Sequence, residues 1–186
     1  LPANQSEQVQ GFDTGPGNAL MDDWYQKHQQ GPYDDNGHWA ASGTVNPQLL
    51  DHFLTDSYFS QAAPKSTGRE MFHLNWLEQH IKDFYLPAVD IQATLCALTA
   101  ETIAREINKL SNKGKIYSCG GGTHNKTLIN LINQKVKSHT LATFSQKGID
   151  VDALEAMAFA WLAYACDKKI PGNIPAVTGA SRKAIL

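Results

Sequence analysis

Gly11-Phe12-Asp13-Thr14-Gly15-Pro16-Gly17-Asn18 sets one carboxylate, one hydroxyl and three glycines in eight consecutive positions. Before it, residues 8–13 predict a short strand. After it, residues 18–30 predict a helix with Leu20, Met21, Trp24 and Tyr25 on one face, Asn18 as its N-cap and Gly31-Pro32 as its stop. Asp13 is therefore expected where a strand runs into a loop of backbone N–H groups that opens onto a helix N-terminus. Unpaired N–H groups and the helix dipole both favour an anion, so such a loop suits a phosphate. A carboxylate at its edge either orders a metal ion or takes a proton from a nucleophile. The same residues also suit a plain strand-turn-helix junction in which Asp and Asn do no more than cap the turn.

The bulk properties exclude several classes. A chain of 186 residues makes one large domain or two small ones, and 42% hydrophobic with 9% aromatic content supplies a core. A net charge of -2 argues against a nucleic-acid or membrane surface. The longest apolar helix expected, residues 153–166, carries Glu155 and is too short to span a bilayer. Leu1-Pro2-Ala3-Asn4-Gln5 has neither region of a signal peptide. Cys96, Cys119 and Cys166 all lie in apolar segments and read as buried, reduced thiols of a reducing, cytoplasmic compartment. His73 and His80 are seven apart, but no Cys, His or carboxylate joins them at ligand spacing, which argues against structural zinc. Residues 1–7 resemble a loop internal to a domain, and residues 182–186 lack a polar tail, so the chain is expected to be part of a longer protein.

Further along, residues 33–38 (Tyr-Asp-Asp-Asn-Gly-His) read as a polar turn; they lack the later Glu of a calcium loop. Residues 39–45 read as extended, and Asn46-Pro47 starts a helix to about residue 55. Lys65, Ser66, Thr67 and Arg69 form a basic, hydroxyl-rich loop before a helix over 71–84; they suit an anion, or a solvated loop with a cap. Asp90 is expected to cap the longest helix, 91–110, in which Leu95, Leu98, Ile103, Ile107 and Leu110 recur at helical spacing. Residues 115–119 predict a strand, Gly120-Gly121-Gly122-Thr123-His124-Asn125 a turn, and 126–135 a helix. A triple glycine between strand and helix marks close backbone approach to a ligand, although the spacing is not the dinucleotide fingerprint. Residues 136–143 predict another strand and 153–167 another helix. The order is α/β, with two glycine-rich strand-to-helix turns as ligand sites.

Five stretches in order carry a family resemblance: Gly11 to Asn18; residues 64–70 (Pro-Lys-Ser-Thr-Gly-Arg-Glu); Cys119-Gly120-Gly121-Gly122 with Asn125; Glu155-Ala156 with residues 158–163; and residues 171–182 (Pro-Gly-Asn-Ile-Pro-Ala-Val-Thr-Gly-Ala-Ser-Arg). Together they resemble the anhydro-N-acetylmuramic acid kinase family over nearly the whole chain. The resemblance implies one lobe of the actin-like/hexokinase-like ATPase fold, a mixed β-sheet flanked by helices. Residues 1–186 would be the C-terminal lobe. The amino-terminal lobe, with its Gly-Thr-Ser-x-Asp-Gly phosphate loop, and a few C-terminal residues would be missing.

The implied reaction uses ATP, Mg2+ and water to open 1,6-anhydro-N-acetylmuramic acid and to phosphorylate its 6-oxygen, in peptidoglycan recycling. By resemblance, Asp13 is the base for the water and a ligand, through water, for the metal. Gly11, Thr14, Gly15, Gly17 and Asn18 form a phosphate segment. Gly120, Gly121, Gly122 and Asn125 form the adenosine turn. Glu155 meets the sugar from a helix whose apolar residues bury most of it. Lys65 and Arg69 meet either the lactyl carboxylate or a phosphate. The family forms homodimers, and a lone lobe is expected to be inactive. The competing classes are a non-catalytic actin-like nucleotide-binding module and a simple sugar kinase acting on a free hydroxyl.

Overall fold

The computed structural model describes residues 9–110, 114–137 and 139–185. Its elements are α1 (Ala19–His28), α2 (His38–Ser42), α3 (Pro47–Phe53), α4 (Ser57–Ser60), α5 (Leu74–Ile81), α6 (Ala88–Leu110), β1 (Gly114–Ser118), α7 (Lys126–Lys135), β2 (His139–Thr143), α8 (Leu154–Asp167) and α9 (Pro175–Thr178). The first half of the chain is helical, and the second half holds a strand–helix–strand unit.

Helix α6 is the axis, with α1, α2, α3 and α7 packed on it. Ile91, Leu95, Cys96 and Leu98 are buried, and so are Gln92, Thr94, Thr99 and Thr102 on its other faces. A helix buried all round must satisfy its own polar side chains. The Thr94 hydroxyl donates to Asp90 O (2.7 Å), Thr99 to Gly17 O (2.7 Å) and Thr102 to Thr99 O (3.1 Å). The predicted apolar repeat holds at Leu95 and Leu98, while Ile103 and Ile107 are half-buried against the same core. The Leu110 side chain lies outside the described residues. The helix starts two residues before Asp90, so Asp90 sits in the first turn and does not cap it. Its carboxylate accepts the Thr44 N–H instead, at 2.7 Å.

Strands β1 and β2 pair in parallel from Gly114↔His139 to Ser118↔Thr143, joined through α7. This is the minimal unit in which a helix returns the chain to the same end of the sheet. The expected α/β class holds, with helices flanking a small parallel sheet; among the described residues it has two strands and no antiparallel one. The same core extends under residues 58–72. Tyr58 and Phe72 meet edge to face at 5.5 Å, and Phe72 and Trp76 at 5.2 Å.

Several local expectations change. Residue 8 is outside the described residues, and residues 9–13 form no strand; no neighbouring strand offers them a ladder. Residues 39–42 of the stretch expected to be extended are helical, as part of His38–Ser42, because the buried Asp34 carboxylate accepts the Trp39 and Ala40 N–H groups, each at 2.8 Å; the chain is extended only from Gly43. The helix expected from 71 begins at Leu74, where His73 Nδ1 accepts the Trp76 N–H at 3.2 Å. Asn46 caps α3 as expected, its side chain accepting from the Leu49 N–H. Only Cys96 is buried; Cys119 and Cys166 are exposed. Helix α8 is not buried either: Met157, Phe159, Trp161 and Tyr164 are 50%, 64%, 51% and 56% exposed. No helix among the described residues is long and apolar enough to cross a membrane.

Candidate functional site

The loop from Gly11 to Asn18 runs between two cavities. The first, about 580 Å3, is lined by Gly11, Phe12 and Asp13, by Pro64, Lys65 and Ser66, and by Val177 to Gly179. The second, about 690 Å3, is lined by Asn18 and Asp22, by Tyr33 to Asn36, by Gly121 and Thr123 to Lys126, and by Asp152. Asp13 opens into one, and Asn18 into the other.

The segment 58–67 holds Asp13 at its backbone and its side chain. The Asp13 N–H donates to Lys65 O at 3.0 Å, and its carbonyl accepts the Tyr58 hydroxyl at 2.7 Å. Oδ2 of its carboxylate accepts the Ser66 hydroxyl (2.9 Å) and the Thr67 N–H (3.0 Å). Oδ1 takes neither bond. Burial pushes the Tyr58 phenol up from its ordinary value, and the Asp13 charge beside it adds to this, so the hydroxyl stays a donor. Ser66 and Thr67 thus do grip an anion, but it is the carboxylate of Asp13.

Lys65 and Arg69 part company. The Lys65 ammonium turns inward to Tyr58 O at 3.2 Å, lies 4.8 Å from the Tyr58 ring centroid and reaches Glu106 at 3.8 Å. The Lys65 charge therefore ties the loop to Glu106 of α6. Arg69 is exposed and pairs with Asp23 of α1 at 3.6 Å. Glu155 is exposed in the first turn of α8 and lines neither cavity.

The loop's glycines are forced by packing and by φ. A Cβ on Gly11 would meet Val177 at 2.6 Å, and one on Gly15 would meet Phe59 at 3.0 Å and the Thr102 hydroxyl at 3.3 Å. Gly17 has φ +57° and makes the turn into α1. Thr14 lines a third, charged hollow between α6 and α7. Asn18 precedes α1 without a side-chain cap bond; its amide lies instead beside Gly122, where a Cβ would meet it at 3.4 Å. That contact joins the two glycine loops.

At the second cavity β1 ends and the chain turns through Gly120, with φ +74°, and Gly121 into α7. A crevice at the carboxyl ends of parallel strands is where such folds bind ligands. Asn125 Oδ1 caps α7 by accepting the Leu128 N–H at 2.9 Å. Thr127 donates to Gly37 O at 2.8 Å, which fastens the 35–37 turn beside the glycines. The buried Thr123 hydroxyl has no partner among the described residues. His124 Nε2 and Asp152 pair at 2.9 Å.

Sequence reasoning missed Asp22. Burial pushes its carboxyl up to about 6, with Arg69 opposing and Asp23 and Asp34 reinforcing. It lies one helical turn after Asn18, the one signal that the sequence carried for it. It also missed Tyr58, whose role depends on a contact made 45 residues away.

The sequence pattern of the family described as anhydro-N-acetylmuramic acid kinase matches residues 3–186. A protein of that name from Shewanella frigidimarina is 51% identical over 187 residues, covering 100% of this chain and 50% of its own. Those from Shewanella pealeana and Colwellia psychrerythraea are 49% and 48% identical, again over 100% of this chain and over 50% and 52% of theirs. The chain spans about half the length of the curated relatives it matches. A match that runs through both glycine loops and the loop that holds Asp13 shows that the chain belongs to the anhydro-N-acetylmuramic acid kinase family, with its actin-like, hexokinase-like ATPase fold.

Proposed function

We propose that this chain is the C-terminal lobe of a kinase that uses ATP to convert 1,6-anhydro-N-acetylmuramic acid to N-acetylmuramic acid 6-phosphate. The observation that carries this is the loop from Gly11 to Asn18, which opens Asp13 into one cavity and Asn18 into another. Two ligands that react with one another need adjoining sites that share a wall.

In this assignment the sugar lies beside Asp13. Oδ1, left free by Ser66 and Thr67, takes one proton of a water as its oxygen bonds to the anomeric carbon. The bond from that carbon to the 6-oxygen breaks. The 6-oxygen attacks the γ-phosphorus, and the bond to the ADP oxygen breaks. By the family's pattern Thr14, Gly15 and Gly17 are assigned to the phosphates, and Gly120 to Gly122 with Asn125 to the adenosine turn. Thr123 supplies an unspent hydroxyl there. Glu155 and Arg69 are assigned to the sugar or its lactyl carboxylate when the second lobe closes.

Asp13 at the first cavity, and Asp22, Asp34, Asp35 and Asp152 at the second, are hard oxygen donors of the kind that suit Mg2+. Asp13 would hold it through water. When bound, the ion neutralises phosphate charge. The full-length protein is assigned to the cytoplasm as a homodimer, in peptidoglycan recycling.

The test is turnover of the anhydro-sugar by the full-length protein in heavy-oxygen water. The expected product carries solvent oxygen at the anomeric carbon and none in the phosphate ester. A product without label at that carbon identifies a simple sugar kinase and overturns the assignment. Asp13→Asn should abolish turnover and keep ATP binding; unchanged turnover would remove Asp13 from the base role.

A further inference from the structure

Residues 172–184 follow α8 and return on themselves. The Gly172 N–H donates to Ala184 O at 3.0 Å. The Asn173 side chain spans the same neck: its Nδ2 donates to Arg182 O at 3.0 Å, and its Oδ1 accepts the Ala184 N–H at 2.6 Å. A segment whose two ends meet while its middle loops outward is an Ω-loop. Its tip is α9. There the Val177 and Thr178 N–H groups donate to Ile174 O at 2.9 and 3.1 Å, and the Gly179 N–H donates to Pro175 O at 2.9 Å. Gly179, with φ +70°, turns the chain back.

That tip is one wall of the cavity into which Asp13 opens. Val177, Thr178 and Gly179 line it together with Gly11 to Asp13 and Pro64 to Ser66. The last two segments are bonded to each other, through the Asp13 N–H and its Oδ2. The first is not. Among the described residues no hydrogen bond ties residues 172–184 to the rest of the chain. Even the Thr178 hydroxyl is spent inside the loop, on Ile174 O at 3.3 Å and on the Ala180 N–H at 3.4 Å. Two things remain to hold the wall. One is the half-buried Val177, seated so closely that a Cβ on Gly11 would meet its Cγ1 at 2.6 Å. The other is the closed neck at Asn173. A backbone bonded only to itself opens locally at low cost once its closure is lost.

We infer that Asn173 is a positioning residue for the sugar: by closing the neck of residues 172–184 it keeps Val177 seated on Gly11, and that seat sets the width of the cavity beside Asp13. Asn173 touches no reacting atom and acts through Val177. A wall displaced by about 1 Å is enough to misplace a substrate against its base. The effect on the sugar rests on the assignment of this cavity to the sugar; the hold of Asn173 on the wall does not.

The experiment compares Asn173→Ala with the parent in the full-length protein, by steady-state kinetics and by amide hydrogen exchange located by mass spectrometry. The amides of residues 177–179 should exchange roughly tenfold faster. KM for the anhydro-sugar should rise roughly tenfold, and KM for ATP should not move. The melting temperature should stay within about 2 °C of the parent, because the loop bonds only to itself. A second pair of variants tests the seat. Gly11→Ala should raise the sugar KM by pushing Val177 away, and Gly11→Ala with Val177→Ala should bring it back, because the smaller side chain makes room for the new methyl. A double variant no better than Gly11→Ala alone overturns the inference. So do unchanged exchange in Asn173→Ala, faster exchange with an unchanged sugar KM, an equal rise in both KM values, or a larger fall in melting temperature. Failure of the proposed function shows differently, as a parent that does not turn over the anhydro-sugar. Exchange then decides alone: faster exchange in Asn173→Ala upholds its hold on the wall, and equal exchange overturns it.

Discussion

The Tyr58 hydroxyl donates to the carbonyl oxygen of Asp13 at 2.7 Å, while the next loop takes up the Asp13 N–H and Oδ2. Tyr58 is fully buried between Phe59, Phe72 and the Lys65 ammonium. The proposed base is thus anchored to the aromatic core through its own backbone.

Removing that anchor should misplace the carboxylate and leave the chain folded. Tyr58→Phe in the full-length protein is expected to lower kcat roughly tenfold. KM for ATP should not change, and stability should fall by about 1 kcal/mol. Steady-state kinetics and a denaturant melt measure both. An unchanged kcat would show that Asp13 needs no such positioning.

Lys65 and Arg69 should behave differently although both are cations of one loop. Lys65→Met strips a partner from Tyr58 O and Glu106 inside the fold and should cost roughly 1–3 kcal/mol. Arg69→Ala removes an exposed pair and should change stability by less than about 0.5 kcal/mol. Urea unfolding of the two variants gives the comparison.

Asp22 makes stability depend on pH. Its carboxyl is raised from 3.8 to about 6 in the fold, so its favourable contribution is complete below about 4 and is lost as pH rises through about 6. Asp22→Asn should match the parent near pH 4. Near pH 7.5 it should be more stable, by on the order of 1 kcal/mol after allowing for its partial exposure. Melting temperatures across that range measure the difference, and a constant difference would refute the burial cause.

Gly37 tests the joint between the polar turn and α7. Its φ is +70°, and a Cβ there would collide with the Asn125 side chain. Gly37→Ala should cost roughly 1–3 kcal/mol and weaken nucleotide binding by loosening the cap of α7. Calorimetry and nucleotide titration report the two effects separately.

Some of this was readable locally. Asn46-Pro47 and Asn125 mark helix starts because a cap and its N–H groups lie within three residues. The 3.6-residue period of α6 and the run of α7 are local in the same way. Where such signals failed, a distant group had intervened. Asp34 made a helix of residues read as extended, and Asp90 was drawn to Thr44 across 46 positions. The apolar composition of α8 was read correctly and its burial was not, since composition states what a helix needs and packing decides whether it is met.

The sequence by itself determined the family, the α/β order, the two glycine loops and the carboxylate between them, because those depend on residue type at short spacing. Only the tertiary structure decided that Ser66 and Thr67 bind Asp13, that Lys65 faces inward, and that Asn18 meets Gly122. Those contacts join residues 7 to about 100 positions apart. A side chain's partner at such separation is chosen by how the helices pack around α6, and no local pattern encodes that.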